Sequence, residues 1–423
     1  MHRFEYKGKE LYCEGVPVSR VAASVGTPFY LYSVNTFLDH YNKLAKAFES
    51  VPTTICFSMK ANSNLTILQA LVNHGAGLDI VSGGELVRAK KVGVDSKKIV
   101  FASVGKTVTE IEAAVRTGIL MFNVESIQEL ETIDRVAGRL GKKQKIAIRL
   151  NPDVKPDTHH YITTGSKQNK FGLDMKTAYK LFVQEGRYPN LHFAGIHIHI
   201  GSQITLSKPF REAIKKCLKF IQDVERAGGL VEYLNIGGGL GIIYSDEKPQ
   251  TADEFAKAVL PLIKKQPRLK LVLEPGRFIS GNSGILVAKV LYEKKSDAKS
   301  FLIVDAAMND LIRPAFYGAY HEIVPVHKND TLRKIKADIV GPICESGDFL
   351  AKDRLLPALR PGELLAVMSC GAYGFVMSSN YNSRPRAPEV VVRGNRFFVA
   401  RRRETMKDLL GCERIVKEAA EIK

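Results

Sequence analysis

One lysine follows directly after an apolar strand pattern. Residues 54–57 read Thr-Ile-Cys-Phe, and Lys60 comes three positions later, before a polar turn and a helical pattern. Partial burial at such a place would lower the pKa of the amine, and a neutral amine can form a Schiff base with a carbonyl compound. Most lysines just past a strand are exposed surface residues. Lys60 is therefore a candidate nucleophile, and other motifs of the chain must decide between this role and that of a surface lysine.

Three consecutive glycines, Gly237, Gly238 and Gly239, close a later strand pattern. Without Cβ atoms, their backbone can approach a ligand closely and direct N–H groups at an anion such as a phosphate. No Walker lysine follows the run, so it is not a P-loop. A phosphate-binding loop and a plain tight turn both remain open.

His197 and His199 stand two residues apart in a predicted strand, so their side chains should face the same side. Two histidines could begin a metal site, but no third ligand at suitable spacing is evident, and we predict no metal. A histidine just before the Gly201-Ser202-Gln203 turn could instead stack on the flat ring of a cofactor. A hydrogen-bonded core histidine is the other interpretation.

Glu274 ends another strand pattern and is followed by Pro275, Gly276 and Arg277. A buried carboxylate needs a partner. A protonated pyridine nitrogen would be one, and its positive charge makes the ring an electron sink. Arg277 is the alternative partner, although its guanidinium group would also suit a substrate carboxylate or a phosphate.

The elements that would position these residues alternate between strand and helix. Eight compact apolar runs are separated by amphipathic helical patterns, which predicts a (β/α)8 TIM barrel over residues 31–278. A doubly wound open sheet is the competing interpretation. In a barrel, the polar residues that follow the strands would meet at one rim. The predicted strands are 55–58, 78–81, 99–102, 120–124, 146–150, 193–200, 233–236 and 269–273.

A different pattern begins after residue 278. Short strand patterns follow one another with Gly, Pro and Asn turns and little helix, which predicts a second, mostly antiparallel β domain of residues 279–423. Residues 1–30 precede the barrel pattern and are predicted to join this domain. Its predicted strands are 285–292, 300–304, 323–326, 337–340, 364–369, 389–392 and 396–400.

Composition excludes several classes of protein. The 423 residues are 45% hydrophobic and 25% charged, as in a globular protein of about two domains. No apolar run approaches the roughly 20 residues of a membrane span, and the first residues lack a signal-peptide core. The six scattered cysteines form no C-x-x-C pair, which argues against a zinc site or a disulfide framework. We therefore predict a cytoplasmic protein that does not bind a membrane.

The formal net charge is +18, but Lys and Arg are spread along the whole chain. A nucleic-acid-binding protein would concentrate them in a patch interleaved with aromatic residues. The densest run, Arg401-Arg402-Arg403, is short. Attraction of an anionic metabolite explains the charge better than nucleic-acid binding does.

Six short motifs occur in one order along the chain, and together they resemble those of the pyridoxal-phosphate-dependent decarboxylases of the alanine-racemase fold group. The resemblance extends from about residue 3 to about residue 415 and is greatest to the members that decarboxylate meso-diaminopimelate. Any one motif could occur by chance, but six in register are specific. They are residues 57–62 (FSMKAN), 199–203 (HIGSQ), 235–241 (NIGGGLG), 274–277 (EPGR), 344–348 (CESGD) and 371–374 (GAYG).

The resemblance implies roles in binding pyridoxal 5'-phosphate. Lys60 would hold the cofactor as an internal aldimine, His199 would stack on its ring and Glu274 would pair with its nitrogen. The other implied cofactor-binding residues are Asp79, Ser202, Gly237, Gly238, Gly239, Gly276, Arg277 and Tyr373.

The resemblance also implies a reaction, from meso-diaminopimelate to L-lysine and CO2. Cys344 would return a proton after CO2 leaves, and Cys344 and Glu345 would come from the second subunit of a head-to-tail homodimer. A distal arginine favours diaminopimelate over ornithine or lysine as substrate. The implied substrate contacts are Arg277, Arg313, Tyr317, Glu345 and Tyr373.

Two other functions remain open. One is a related decarboxylase that acts on carboxynorspermidine or on a basic amino acid. The other is a non-catalytic relative that binds pyridoxal phosphate without turnover. The presence of both Lys60 and Cys344 argues against the second.

Overall fold

The computed structural model describes residues 2–154, 170–297, 299–329, 331–416 and 419. The chain divides into two compact units. One is Thr36–Asn282, and the other combines Met1–Asn35 with Ser283–Lys423. We call them the barrel unit and the β unit.

The β unit begins with a small antiparallel sheet and one short helix. Val21 of the helix packs with Leu11 and Phe29 in an apolar core. The elements are β1 (Phe4–Lys7), β2 (Glu10–Cys13), β3 (Val16–Pro17), α1 (Val18–Val25) and β4 (Phe29–Ser33).

Eight parallel strands among the described residues of the barrel unit close into a barrel, because the last strand pairs with the first through Leu271 and Thr53. The predicted (β/α)8 barrel is confirmed, and the open-sheet alternative is wrong. The strands are β5 (Thr53–Ser58), β6 (Gly77–Ile80), β7 (Ile99–Phe101), β8 (Met121–Val124), β9 (Gln144–Arg149), β10 (Leu191–His197), β11 (Tyr233–Asn235) and β12 (Lys270–Leu273).

Side-chain caps start many of the barrel helices. Ser82, Thr107 and Ser126, for example, each accept a hydrogen bond from the backbone N–H three residues later. Each cap stands a few residues after a strand, so the loops between are short. The helices are α2 (Val34–Ala47), α3 (Leu65–Asn73), α4 (Gly83–Lys91), α5 (Val108–Thr117), α6 (Ile127–Arg139), α7 (Met175–Val183), α8 (Lys208–Arg226), α9 (Ala252–Ile263) and α10 (Arg277–Ser280).

The remainder of the β unit is a nine-stranded sheet, which includes β4 from the start of the chain. Most pairs are antiparallel, as predicted, but two are parallel: β14 with β16 and β4 with β19. The elements are β13 (Gly284–Lys295), β14 (Ser300–Val304), α11 (Arg313–Tyr317), β15 (Ile323–Pro325), β16 (Lys334–Val340), β17 (Phe349–Pro357), β18 (Leu364–Val367), β19 (Glu389–Arg393), β20 (Arg396–Arg401) and α12 (Met406–Leu410).

Among the described residues, no helix combines the length and the apolar character that crossing a membrane requires. All six cysteines are free thiols: Cys13, Cys56, Cys217 and Cys370 are buried, and Cys344 and Cys412 are exposed.

Asp310 of the β unit should make stability depend on pH. Burial, the main cause, raises the pKa of Asp310 to about 7 although the carboxylate accepts the N–H of Ala307 at 3.0 Å. The native chain then keeps a proton that the unfolded chain releases near pH 4, so the free energy of unfolding should fall as the pH rises from about 4 to about 7.

The variant Asp310→Asn keeps the hydrogen-bond acceptor and cannot titrate. Across this pH window its free energy of unfolding should improve relative to the wild type by on the order of 4 kcal/mol, and the difference should level off above about pH 8. Thermal unfolding of both proteins at a series of pH values measures it. A difference that does not vary with pH would contradict the raised pKa.

Candidate active site

The barrel strands bring an amine and a carboxylate together at their carboxyl ends. Lys60 lies in the single turn Met59–Ala61 that follows β5, and its Nζ is 2.7 Å from Oδ2 of Asp79 in β6. The Lys60 side chain is 36% exposed, whereas that of Asp79 is fully buried. Ser58, the register partner of Asp79, donates its hydroxyl to the same Oδ2 at 2.6 Å.

Burial raises the pKa of Asp79, and the nearby Lys60 amine offsets only part of that effect. A carboxylate with a raised pKa can accept the proton of a neighbouring amine, which leaves the neutral amine that nucleophilic attack needs. The other oxygen of Asp79, Oδ1, is buried and bonds no partner among the described residues. The pair is thus suited to exchange a proton.

A second lysine, Lys106, lies after β7 and was not predicted from the sequence. Its Nζ is fully buried and donates to Glu129 Oε1 at 2.6 Å, to the carbonyl of Ser103 at 2.7 Å and to that of Asn123 at 2.9 Å. These three acceptors match the three protons of an ammonium group. Burial lowers the pKa of Lys106. Because each ammonium proton nevertheless has an acceptor, Lys106 is a structural lysine rather than a nucleophile.

Replacing Lys106 with methionine should strongly destabilise the barrel unit. The change leaves the Glu129 carboxylate buried without its cation, which costs about 3–5 kcal/mol. Lys219→Met is the matched control, because Lys219 pairs with Asp223 while 62% exposed and should cost less than about 1 kcal/mol. Urea unfolding measures both, and equal losses would contradict the structural role.

The carboxylate of Glu274, just after β12, is held by side chains from three other strands. Oε1 accepts the side-chain amides of Asn123 at 2.8 Å and Asn235 at 2.6 Å, and Oε2 lies 3.1 Å from Nε2 of His197. Burial acts to raise the pKa of Glu274, but the hydrogen bonds from His197 and Asn235 and the charge of Lys60 outweigh it and hold that pKa well below its usual value. Glu274 is therefore a buried anion.

His199 lies just beyond β10, in a loop, although the sequence predicted that the strand continues to residue 200. Its Nδ1 accepts the N–H of Gly238 at 3.3 Å. Burial, together with the nearby charges of Arg149 and Lys60, lowers the pKa of His199 well below its usual value. The ring is thus a neutral imidazole, whose flat face can stack on an aromatic cofactor.

The glycine run forms a loop that fits tightly between two neighbouring loops. Gly237 and Gly239 have φ values of 68° and 107°, which only glycine adopts readily. A Cβ atom on Gly238 would lie 2.1 Å from the carbonyl oxygen of Glu274. The backbone N–H groups of Gly239 and Gly276 bond no acceptor among the described residues. Both can therefore bind an anion.

A cation lies in the same unit. Arg277 is buried, and its Nη2 donates to the hydroxyl of Ser202 at 3.1 Å and its Nη1 to that of Tyr244 at 2.7 Å. Tyr244 was not among the predicted residues. A buried guanidinium group beside a serine hydroxyl suits a phosphate or a carboxylate.

These features fit pyridoxal phosphate. The barrel unit supplies an amine beside a proton acceptor, a buried anion for the ring nitrogen, a neutral imidazole, and N–H groups for a phosphate. The described residues bring no three His, Cys, Asp or Glu side chains into an arrangement that could hold a metal ion.

The other predicted residues lie in the β unit. Arg313 is buried in α11, and its Nη1 is 2.7 Å from Nε2 of His321, whose Nδ1 lies 2.7 Å from the carbonyl of Met368. The histidine thus orients the guanidinium group. Tyr317 ends the same helix, and Tyr373 has a positive φ of 56°.

Cys344 and Glu345 lie in an exposed loop of the β unit. Asp348 anchors the loop by accepting the N–H groups of Met308 and Ile343, both at 2.7 Å. Glu345 Oε2 accepts the hydroxyl of Tyr381 at 2.9 Å. The Cys344 thiol is exposed, so it is accessible to another molecule.

The barrel and its rim together define an enzyme that uses pyridoxal phosphate. A family model described as "Pyridoxal-dependent decarboxylase, pyridoxal binding domain" matches residues 34–281. The chain therefore belongs to the family of pyridoxal-dependent decarboxylases, and its cofactor is pyridoxal phosphate.

Within this family, the chain is similar over nearly its full length to proteins named diaminopimelate decarboxylase. One from Aquifex aeolicus (strain VF5) is 49% identical over 400 residues, which cover 95% of this chain and 94% of the relative. The solved structure from Helicobacter pylori, complexed with L-lysine, has a TM-score of 0.90 and 40% identity, covering 93% of this chain and 98% of that one. The structure from M. jannaschii in co-complex with L-lysine has a TM-score of 0.93 and 37% identity, with 98% of each chain covered.

Proposed function

We propose that this enzyme decarboxylates meso-2,6-diaminopimelate to L-lysine and CO2, the last step of lysine biosynthesis, in the cytoplasm. The observation that carries the proposal is the pairing, at one barrel rim, of the Lys60 amine with Asp79 and of a buried, ionised Glu274 with neutral donors. Full-length similarity to diaminopimelate decarboxylases, two of them solved with L-lysine, supports the choice of substrate.

When bound, pyridoxal phosphate supplies an electron sink for the bond that breaks in decarboxylation. Lys60 would hold the cofactor covalently through Nζ, and Asp79 would accept the amine proton when that bond forms and return it when the substrate amine displaces Lys60. The 2.7 Å contact between Nζ and Oδ2 supports this transfer.

Glu274 would keep a positive charge on the ring nitrogen, because a buried anion stabilises a neighbouring cation. His199, a neutral ring, would cover one face of the cofactor and exclude water from it. The N–H groups of Gly239 and Gly276 would bind the phosphate, together with the hydroxyl or guanidinium groups of Ser202, Arg277 and Tyr373. Gly237 and Gly238 would shape the loop around it, because their own N–H groups donate to Asn235 and His199.

The substrate carries an ammonium and a carboxylate group at its distal end. Arg313 would bind that carboxylate, and Glu345 would bind the ammonium group, because each side chain carries the charge opposite to that of its ligand group. Buried Arg313 is already oriented by His321, which supports a bidentate role. Arg277, Tyr317 and Tyr373 would complete the substrate contacts.

Cys344 would donate the proton that replaces the departing CO2, since a thiol is a plausible acid near neutral pH. We propose that Cys344 and Glu345 act in the active site of the second subunit of a homodimer, and their exposure on a single chain supports this arrangement. Mixing inactive Lys60→Ala and Cys344→Ala subunits tests it. Random dimers should regain about one quarter of the wild-type sites, whereas no recovery would place Cys344 in its own subunit's site.

Assays of CO2 release on a panel of amino acids test the substrate. We expect the highest kcat/KM on meso-diaminopimelate. Highest activity on ornithine, lysine or carboxynorspermidine would assign the enzyme to a sister activity, and bound cofactor without CO2 release from any compound would indicate a non-catalytic relative.

A further inference from the structure

We propose that His197 is a positioning residue, which acts on the cofactor ring through Glu274 by donating a hydrogen bond to its Oε2 oxygen. This inference rests on the proposed function, because it assumes that Glu274 pairs with the ring nitrogen. Of the two histidines that the sequence places two residues apart, the proposed mechanism uses only His199.

The geometry around Glu274 is asymmetric. Two amide groups, from Asn123 and Asn235, donate to Oε1, whereas among the described residues His197 alone donates to Oε2, at 3.1 Å. His197 is 1% exposed and Glu274 is 3% exposed, so water does not substitute readily for this donor. His197 and Asn235 are also register partners in β10 and β11. Adjacent strands therefore fix the two oxygens of the carboxylate separately.

The second ring nitrogen of His197 indicates which tautomer is present. Nδ1 is buried and bonds no partner among the described residues. A charged imidazolium would leave a buried N–H without an acceptor, which costs more than a bare lone pair. The neutral tautomer with its hydrogen on Nε2 fits both observations, because Nε2 can donate to Glu274 and Nδ1 carries no hydrogen that would need an acceptor.

A neutral donor has a consequence that a cation would not have. Asn123, Asn235 and a neutral His197 stabilise the Glu274 carboxylate by hydrogen bonds and do not cancel its charge. An arginine in place of His197 would form an ion pair with Glu274 and weaken its hold on a protonated ring nitrogen. His197 thus keeps the carboxylate oriented and leaves its negative charge for the cofactor.

A core histidine with no functional role is the competing explanation, and two polar variants separate them. The amide nitrogen of glutamine reaches the place of the imidazole Nε2, whereas that of asparagine reaches only the place of Nδ1. His197→Gln should therefore keep the hydrogen bond to Oε2, and His197→Asn should lose it. Both remove the ring, so a purely structural role predicts similar effects of the two.

The experiment loads each protein with pyridoxal phosphate labelled with ¹⁵N in the ring. In His197→Asn, the ring-nitrogen signal should shift toward that of an unprotonated pyridine, and kcat should fall about ten- to a hundredfold with KM little changed. In His197→Gln, the ring-nitrogen signal and kcat should both stay close to those of the wild type. The dissociation constant of the cofactor, measured on the apoproteins, should also rise in His197→Asn only.

Glu274→Gln separates failure of this inference from failure of the proposed function. If Glu274→Gln leaves the ¹⁵N signal unchanged, Glu274 does not pair with the ring nitrogen, and the proposed mechanism itself is wrong. If Glu274→Gln shifts the signal but His197→Asn and His197→Gln behave alike, His197 has no positioning role. Should His197→Asn fail to fold while His197→Gln keeps the wild-type signal and rate, the Nε2 donor is still the feature that matters.

Discussion

Replacing Lys60 with alanine should abolish decarboxylation and remove the visible absorption band of bound pyridoxal phosphate. Lys60 is the partly exposed amine at the barrel rim, and Asp79 lies 2.7 Å away to exchange its proton. Under the proposed mechanism, the cofactor would then have no covalent attachment, and the substrate would have no amine to displace. We expect kcat to fall on the order of 10⁴-fold or more, the effect of removing a nucleophile.

Absorption spectra and CO2 release from the reconstituted variant measure this effect. Lys98→Ala is the matched control, because Lys98 is likewise a partly exposed lysine. It donates to the carbonyl of Gly75, and the variant should keep both the absorption band and the rate. Survival of the band in Lys60→Ala would show that another lysine holds the cofactor, and Lys106 would be the first to test.

Replacing Cys344 with alanine should slow turnover about 10²- to 10⁴-fold without loss of the cofactor. The reason is that Cys344 is an exposed residue in a β-unit loop that Asp348 anchors, whereas Lys60 and Glu274 are each held by residues of the barrel unit. The thiol can therefore be removed without disturbing Lys60 or Glu274. Cofactor binding should stay within error of the wild type.

Steady-state rates and the absorption band of the same preparation measure both properties. Cys412→Ala removes the other exposed thiol and should change neither. An unchanged rate in Cys344→Ala would exclude it as the proton donor. A lost absorption band would instead show that the residue supports cofactor binding.

The barrel could be predicted because its strands carry a local signal. Strands buried on both faces read as short continuous apolar runs, and residues such as Ser82 and Ser126 cap the helices that follow. Strand β17 of the β unit lacks that signal. It is an edge strand, and Lys352, Asp353 and Arg354 interrupt its apolar residues.

The same contrast applies to the candidate site. Lys60 and the glycine run were identified because each stands in a recognisable local motif. Lys106 was missed because its role depends on Glu129 and on the Asn123 carbonyl, which only the folded barrel brings to it. Partners that are distant in sequence, such as Asn123 for Glu274, 151 residues away, produce no periodic pattern in the chain.

Both units close late during synthesis on the ribosome. Leu271 must emerge before it can pair with Thr53 and complete the barrel. Strand β4 completes its pairing later still, because Tyr30 pairs with Glu389, which is synthesised near the end of translation. Until then the apolar edges of β4 and β5 are exposed in the nascent polypeptide, which makes them natural binding sites for chaperones and the first places where a truncated product would aggregate.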